Sequence, residues 1–206
     1  MQDIVIVGSS GFADEIHWLI DRMNKVSQSY SFLGFIDKEP GEKVIGDDDW
    51  LINYDKKLAV VIAIGDGTLR SKLVAKYRAN TNLFFPNVID PSVIMSDSVE
   101  MGEGNIICAS TIITTGITLG SFDIFNLDCT IGHDTIVDDF VTLNPSCNVS
   151  GNCNIGRCSN IGTGTQIIQG LLLGDNTIVG AGAVVSKDLP GNCTAVGVPA
   201  KVIKSY

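Results

Sequence analysis

The sequence contains little positive charge, almost no histidine and no long apolar run. Its 14 lysine and arginine residues are outnumbered by 23 aspartate and glutamate residues, and the formal net charge is −9. This acidic balance argues against nucleic acid or an anionic membrane as the main partner. No apolar stretch reaches transmembrane length, and no charged segment followed by an apolar one opens the chain. We therefore expect a cytoplasmic protein whose partner is a small molecule.

Metal ligands are also scarce. The two histidines are His17 and His133, and the six cysteines lack CxxC or CxxH spacing, so we predict no metal site. Cys129 and Cys147 lie one eighteen-residue interval apart. Because cytosolic proteins keep their thiols reduced, we expect these cysteines to act as small buried apolar residues.

A six-residue repeat occupies the second half of the chain. Every sixth residue is apolar along this series: Met95, Met101, Ile107, Ile113, Leu119, Phe125, Ile131, Val137, Leu143, Val149, Ile155, Ile161, Ile167, Leu173, Val179 and Val185. A helix would repeat every 3.6 residues and a strand every 2. A period of six is typical of a parallel β-helix, in which three short strands close one coil.

Each position of the repeat has an expected place in such a coil. The aliphatic residue points into the core, and a small residue four positions later fits near a corner. Glycine often follows the aliphatic residue, and glycine or asparagine is expected to tolerate the tight backbone of the turn. Sixteen repeats build a little over five coils, a prism on the order of 25 Å long at the strand spacing of about 4.8 Å.

The first 85 residues carry a different pattern. Apolar runs at 3–7, 32–36 and 58–64 are predicted as strands, and the segments 12–23 and 68–79 as helices. Apolar strands that alternate with helices are typical of a small parallel sheet. We therefore predict a mixed fold: a small Rossmann-like α/β domain over residues 1–85, followed by a parallel β-helix with a C-terminal tail over residues 86–206.

The predicted strand ends carry candidate ligand-binding residues, because open parallel sheets bind ligands beyond the carboxyl ends of their strands. These ends carry the turn 8–11, Asp37 with Lys38, and Gly65 with Asp66. A glycine turn that enters a helix suits a phosphate, although the same GxxG spacing also occurs in plain tight turns. Asp37 suits a hydrogen bond to a ribose or a base, and equally suits a solvated turn.

The two histidines receive different interpretations. His17 falls near the polar face of the first predicted helix and is interpreted as a solvated helix residue. His133 follows the repeat residues Ile131 and Gly132, which places it at a corner of the prism beside Asp134. A histidine held by a carboxylate suits general-base chemistry at neutral pH. The alternative for His133 is an ordinary surface turn.

Three segments together resemble the sialic acid O-acetyltransferase and nucleotide-amino-sugar N-acetyltransferase family of the hexapeptide-repeat acyltransferases. They are IVGSSGF at 6–12, IGHD at 131–134 and GVPAK at 197–201. The resemblance covers the whole chain. It implies a left-handed β-helix, a homotrimer with active sites between subunits, acetyl-CoA as co-substrate, and a nucleotide-linked amino sugar bound by the α/β domain.

The resemblance also implies roles for individual residues. His133 would be the general base, Asp134 would raise its basicity, and Asn126 would lie beside it. The backbone N–H of Gly151 would face the thioester oxygen of acetyl-CoA. Further residues expected to bind acetyl-CoA are Thr142, which stands where some relatives carry a histidine, and Thr163, Gly180, Ala181 and Lys187. Residues expected to bind the nucleotide-sugar are Ser10, Gly11 and Phe12 near its phosphates, Asp37 and Lys38 near its base or ribose, and Gly65 and Asp66 at the third strand end.

The expected activity is therefore acetyl-CoA-dependent N-acetylation of a nucleotide-linked amino sugar, by direct transfer with a histidine general base. One alternative is O-acetylation of sialic acid or another small hydroxyl acceptor. The other is a non-catalytic trimer that binds a nucleotide-sugar.

Overall fold

The computed structural model describes residues 1–206 and contains an α/β module followed by a triangular prism. The module contains β1 (Gln2–Val7), α1 (Gly11–Val26), β2 (Tyr30–Ile36), β3 (Val44–Gly46), α2 (Asp48–Ile52), β4 (Leu58–Ile62), α3 (Gly67–Tyr77) and β5 (Leu83–Phe84). Its strands are all parallel and lie in the order β3-β2-β1-β4-β5. Ile4 and Ile6 pack in a core with α1, and Val5 and Val7 pack in another with α3. The sheet therefore has helices on both faces, as the Rossmann-like prediction requires.

The sequence pattern missed the short elements of the module. The three predicted strands and two predicted helices are present, but β3, α2 and β5 were not predicted. Strands β3 and β5 have only three and two residues, too few for a periodic signal. Helix α2 has five residues, and its start is marked only by the Asp47 side chain, which accepts a hydrogen bond from the backbone N–H of Trp50.

The prism is built from short strands. In chain order they are β6 (Val88–Ile89), β7 (Ile94–Met95), β8 (Glu100–Met101), β9 (Ile106–Ile107), β10 (Ile112–Ile113), β11 (Thr118–Leu119), β12 (Ile124–Phe125), β13 (Thr130–Ile131), β14 (Ile136–Val137), β15 (Thr142–Leu143), β16 (Asn148–Val149), β17 (Asn154–Ile155), β18 (Asn160–Ile161), β19 (Gln166–Ile167), β20 (Leu172–Leu173), β21 (Ile178–Val179), β22 (Val184–Val185), β23 (Cys193–Val196) and β24 (Lys201–Ser205).

Every third strand lies in the same sheet, which gives three faces. Face I contains β6, β9, β12, β15, β18, β21, β23 and the antiparallel β24; face II contains β7, β10, β13, β16, β19 and β22; face III contains β8, β11, β14, β17 and β20. The chain visits faces I, II and III in turn. We name the edges I/II, II/III and III/I after the faces that they join. The predicted left-handed parallel β-helix is confirmed.

The repeat positions lie where the period predicted them. The aliphatic residues from Ile107 to Val185 are buried in one continuous core. The repeat begins one step earlier than predicted, because Ile89 also packs against that core. The small residues four positions later are buried as well, and the Thr111 hydroxyl donates a hydrogen bond to the carbonyl of Asn126. The predicted division between residues 85 and 86 stays a prediction.

Glycines occupy two positions of the repeat for two different reasons. Left-handed backbone occurs three residues after the inward residue, at Asn152 with φ of 58° and at Gly182 with φ of 68°, as expected for asparagine and glycine in a tight turn. The glycines directly after the inward residue lie against the next coil instead. A Cβ on Gly132 or Gly156 would lie 2.5 Å from a backbone nitrogen of that coil. These glycines therefore permit close stacking of coils, a role that was not predicted.

The α/β module is attached to face I and to edge III/I. Helix α1 packs on the outward residues of face I, and Arg22 donates two hydrogen bonds of 2.6 and 3.0 Å to the Asp90 carboxylate at the start of the prism. On edge III/I, the rings of Phe122 and Phe140 stack 5.3 Å apart beneath α3. These contacts orient the strand ends of the module toward the prism.

The close approach of the coils at Gly156 makes a testable prediction. Gly156→Ala adds a methyl group against the backbone nitrogen of Asp175, and overpacking of this kind costs about 1–3 kcal/mol. Because about 1 kcal/mol corresponds to roughly 2–4 °C in a chain of this size, thermal denaturation should show a Tm several degrees lower. The matched control is Asn154→Ala, at an exposed position of the same coil. Equal Tm values for Gly156→Ala and the wild type would contradict this account.

Candidate active site

A first cavity lies at the carboxyl ends of the module strands. This strand-end cavity has a volume of about 300 Å³, and its lining includes Gly8, Asp37, Lys38 and Ile64. Ser9 donates a 2.7 Å hydrogen bond to the Asp37 carboxylate. Burial raises the pKa of the Asp37 carboxyl, but hydrogen bonds from Ser9 and from nearby backbone N–H groups outweigh it, so the pKa lies below its ordinary value. Asp37 is therefore an ionised hydrogen-bond acceptor at neutral pH.

A second cavity lies where the module meets the prism. This junction cavity has a volume of about 370 Å³. Its lining comes from the start of α1, the end of β4, face I and edge I/II: Ser10, Phe12, Glu15, Ala63, Ile64, Gly65, Ile124, Asn126, Leu127, Thr142, Asn144 and Pro145. Ile64 also lines the strand-end cavity, so the two spaces are neighbours divided by that side chain.

The junction cavity brings together residues that the sequence had assigned to different ligands. Ser10, Phe12 and Gly65 were expected to bind the nucleotide-sugar, Asn126 to assist catalysis, and Thr142 to bind acetyl-CoA; all five line this space. Two other expected residues lie beside it. Gly11 begins α1 on the surface, and Asp66 precedes α3, where its carboxylate accepts a hydrogen bond from the backbone N–H of Leu69.

Two polar residues that line the junction cavity were not predicted as site residues. The eighteen-residue step places Asn144 one coil after Asn126, but no sequence feature assigned Asn144 a role. Glu15 is the only charged residue in the lining. No sequence signal marks it, because it is one of several polar residues on the outer side of an amphipathic helix.

His133 lies elsewhere, on edge II/III. Its side chain is 64% exposed, and Nδ1 lies 2.8 Å from a carboxylate oxygen of Asp134. Since a carboxylate only accepts hydrogen bonds, the tautomer of the neutral imidazole that fits this contact has its proton on Nδ1 and a lone pair on Nε2. Gly151, one coil later, lies directly against the ring: a Cβ there would be 2.5 Å from Nε2. The backbone N–H of Gly151 has no acceptor within the chain.

One chain does not bring all the expected catalytic and coenzyme residues together. Those on edge I/II or beside it follow face I strands: Asn126, Thr163, Gly180 and Ala181. Those on edge II/III follow face II strands: His133, Asp134, Gly151 and Lys187. The whole of face II separates the two sets. Thr142 belongs to neither edge, because it is an outward residue of face I whose hydroxyl donates a 2.8 Å hydrogen bond to the carbonyl of Gly65.

His17 differs from its sequence interpretation. Its ring stacks on Phe32 with the centroids 4.0 Å apart, and only 23% of its side chain is exposed. The expectation of a solvated residue is therefore wrong: the imidazole packs between α1 and β2.

The structure contains no group of three or more His, Cys, Asp or Glu side chains arranged to hold a metal ion. All six cysteines are free thiols, and Cys129 and Cys147 are fully buried. None of the helices has the length and apolar composition needed to cross a membrane.

Comparison with known proteins gives a consistent set of matches. Residues 3–77 match the family model of the PglD N-terminal domain. The fold is similar to the acetyltransferase domain of PglB from Neisseria gonorrhoeae, solved with acetyl coenzyme A, at 28% identity and a TM-score of 0.91, covering 98% of this chain and 99% of that one. It is also similar to PerB from Caulobacter crescentus, solved with CoA and GDP-perosamine, at 31% identity and a TM-score of 0.90, covering 99% of this chain and 98% of that one.

Matches to curated sequences are shorter. Galactoside O-acetyltransferase of Escherichia coli is 46% identical over 82 residues, which is 40% of this chain and 29% of that protein. The chain spans between 18% and 52% of the length of four curated relatives that it matches.

The contact between His133 and Asp134 predicts a defined imidazole tautomer. Asp134→Gly removes the carboxylate but keeps a residue that tolerates the positive φ of this turn. In the wild type, ¹⁵N NMR of the neutral ring should show the proton on Nδ1, and in the variant a substantial share should move to Nε2. The only other histidine, His17, is distant in sequence and serves as the internal control. An unchanged tautomer of His133 in Asp134→Gly would contradict this geometry.

Proposed function

Because the chain belongs to the sialic acid O-acetyltransferase and nucleotide-amino-sugar N-acetyltransferase family, we propose that it transfers the acetyl group of acetyl-CoA to the amino group of a nucleotide-linked amino sugar. The observation that carries this proposal is the junction cavity. It adjoins the strand-end cavity on one side and edge I/II of the prism on the other. A nucleotide in the strand-end cavity would therefore direct its sugar into the junction cavity, toward the prism.

The charge of the junction cavity favours an amino sugar as the acceptor. Glu15 is its only charged residue. A carboxylate attracts an ammonium group, so Glu15 favours an acceptor that places its amine in the junction cavity, while the α1 N-terminus and Lys38 are the groups suited to its phosphates. This supports N-acetylation over O-acetylation.

His133 acts as the general base in the proposed reaction. The acceptor ammonium group first releases one proton to solvent. Nε2 of His133 then accepts a second proton from the neutral amine as the nitrogen forms a bond to the acetyl carbonyl carbon. The carbon–sulfur bond then breaks, and the thiolate that leaves takes up the proton from the imidazolium. Asp134 holds Nδ1 and stabilises the imidazolium. The free N–H of Gly151, next to the ring, is suited to bind the carbonyl oxygen as it gains negative charge.

The prism offers a surface that fits acetyl-CoA. Gly162, Thr163, Gly180 and Ala181 follow one another along edge I/II without a large side chain among them. On edge II/III, the exposed ammonium of Lys187 is suited to the coenzyme phosphates. In a groove between edge I/II of one subunit and edge II/III of another, the small residues of the first edge and Lys187 of the second would contact the same coenzyme molecule.

We therefore propose a homotrimer in which each active site belongs to two subunits. One subunit holds the nucleotide-sugar in its module and presents edge I/II. Its neighbour contributes His133, Asp134 and Gly151 from edge II/III. The separation of the two edges by face II supports this arrangement, because a single prism cannot present both edges to one substrate.

The second candidate function is O-acetylation of sialic acid or another small hydroxyl acceptor. The similarity to galactoside O-acetyltransferase favours it. The two candidates differ in the acceptor and share the base, since a hydroxyl group also loses its proton as it attacks the thioester.

The acceptor assay tests the proposal. Release of the CoA thiol is measured with amino sugars linked to UDP, GDP or TDP, and with sialic acid and galactosides. We expect turnover with a nucleotide-linked amino sugar, and His133→Ala should lower kcat by about 10²–10⁴-fold, the usual contribution of a general base. Ser150→Ala, an exposed position next to Gly151, is the control and should keep wild-type activity.

The other outcomes of this assay contradict the proposal. Turnover with sialic acid or galactosides alone would identify the O-acetyltransferase. Nucleotide binding without thiol release from any acceptor would identify the non-catalytic trimer.

Subunit mixing tests the shared active site. Gly65→Trp should block the junction cavity, because a Cβ on Gly65 meets no atom within 4 Å and its side chain would project into open space. His133→Ala and Gly65→Trp should each be inactive alone. Co-expressed in equal amounts, they should recover about a quarter of wild-type activity, because random assembly pairs an intact base with an intact cavity at that frequency. Activity no higher than that of either variant alone would contradict the shared site.

A further inference from the structure

Arg70 is a buried charged residue that the proposed reaction does not use. It lies on α3 and is 1% exposed. Its guanidinium donates hydrogen bonds to five acceptors: the carbonyl oxygens of Ile64, Phe122 (2.7 Å), Phe140 (2.9 Å) and Val141 (3.1 Å), and the hydroxyl of Thr142 (3.1 Å). All five acceptors are neutral, so this group is held by polar contacts and not by a direct ion pair.

Stability alone does not account for a buried guanidinium. Burial lowers the pKa of Arg70 to about 10, and the nearby Asp123 only partly opposes that shift. Asp123 itself is fully buried, and burial raises its pKa well above the ordinary value. Well-packed apolar residues often replace buried ionic groups without loss of stability. The five directed hydrogen bonds instead fix positions in three separate segments.

These segments are two coils of the prism and the end of β4. Phe122 and Phe140 occupy equivalent positions in adjacent coils on edge III/I. Arg70 binds the carbonyl of Ile64, while Thr142 accepts a hydrogen bond from Arg70 and donates one to the carbonyl of Gly65. The two consecutive carbonyls after β4 are therefore hydrogen-bonded to the groups that connect them to the prism: Ile64 to the Arg70 guanidinium and Gly65 to the Thr142 hydroxyl.

The segment held in this way is the partition between the two cavities. Ile64 lines both of them and Gly65 lines the junction cavity. A displacement of reactive groups by about 1 Å strongly reduces reaction rates. The position of Ile64 and Gly65 relative to face I therefore affects how the acceptor is bound and oriented. The hydrogen bonds of Arg70 go to Ile64, Phe122 and residues 140–142, and none goes to edge II/III or to residues 162–163 and 180–181 of edge I/II.

We propose that Arg70, acting through Thr142, is a positioning residue for the acceptor. It holds the partition at the end of β4 so that the amino group of a nucleotide-linked sugar is correctly placed beside the prism. This inference rests on the proposed function. It assigns Thr142 to the acceptor side of the reaction, in place of the coenzyme contact expected from the family resemblance.

Two substitutions test the assignment. Thr142→Val keeps the shape of the side chain but removes the hydroxyl that joins Arg70 to Gly65. Loss of this buried link should raise KM for the nucleotide-sugar about tenfold while KM for acetyl-CoA stays within about twofold. Arg70→Lys keeps the charge, but a lysine cannot span five acceptors, so its effect on the acceptor KM should be larger than that of Thr142→Val.

The matched control separates positioning from general stability. Thr177→Val also removes a fully buried threonine hydroxyl, one that donates to the carbonyls of Gly174 and Pro190 away from both cavities. It should lower Tm by an amount comparable to Thr142→Val and leave both KM values unchanged.

The results distinguish this inference from the proposed function. Suppose that the wild-type chain turns over the nucleotide-sugar while Thr142→Val raises both KM values equally, or raises only the KM for acetyl-CoA. Either result would overturn the inference and leave the proposed function intact. A wild-type chain that turns over no nucleotide-sugar would overturn both. If Arg70→Lys fails to fold, Thr142→Val and Thr177→Val still decide the question.

Discussion

The eighteen-residue register between coils is the constraint on which the rest of the structure depends. Each strand from β6 to β19 pairs in parallel with the strand eighteen residues later, as Thr130 pairs with Asn148 and Thr142 with Asn160. Parallel pairing at this fixed step stacks equivalent positions above one another along every face and edge. A residue in one coil therefore has a defined neighbour in the next, and the contact between His133 and Gly151 follows directly from that register.

The same register explains why the proposed active site is divided between subunits. The prism wall is regular, so the proposed functional groups lie at its edges and on the face covered by the α/β module. His133, the proposed base on edge II/III, and the cavity beside edge I/II are separated by face II. A regular prism gains a complete site by placing one edge beside a different edge of a second copy.

Much of this arrangement could be predicted from the sequence, because the period of six reports the inward residues directly. The corner position of His133 and its contact with Asp134 also follow from local spacing. The role of the repeat glycines did not, since the spacing is the same whether glycine relieves a tight turn or admits a neighbouring coil. Tertiary contacts escaped prediction for a related reason: the stacking of His17 on Phe32 and the burial of Arg70 join segments that no local pattern connects. Thr142 points outward because it precedes the inward residue Leu143 in β15, and its contact with Gly65 depends on where the module covers face I, which no local pattern shows.

The central claim is that the acceptor and the base come from different subunits. A crystal structure of the protein with CoA and a nucleotide-linked amino sugar tests it most directly. The account predicts a trimer in which the acceptor amine lies within hydrogen-bonding distance of Nε2 of a neighbouring subunit's His133, while its nucleotide occupies the strand-end cavity of the first subunit. An acceptor held by the module and His133 of the same chain would contradict it.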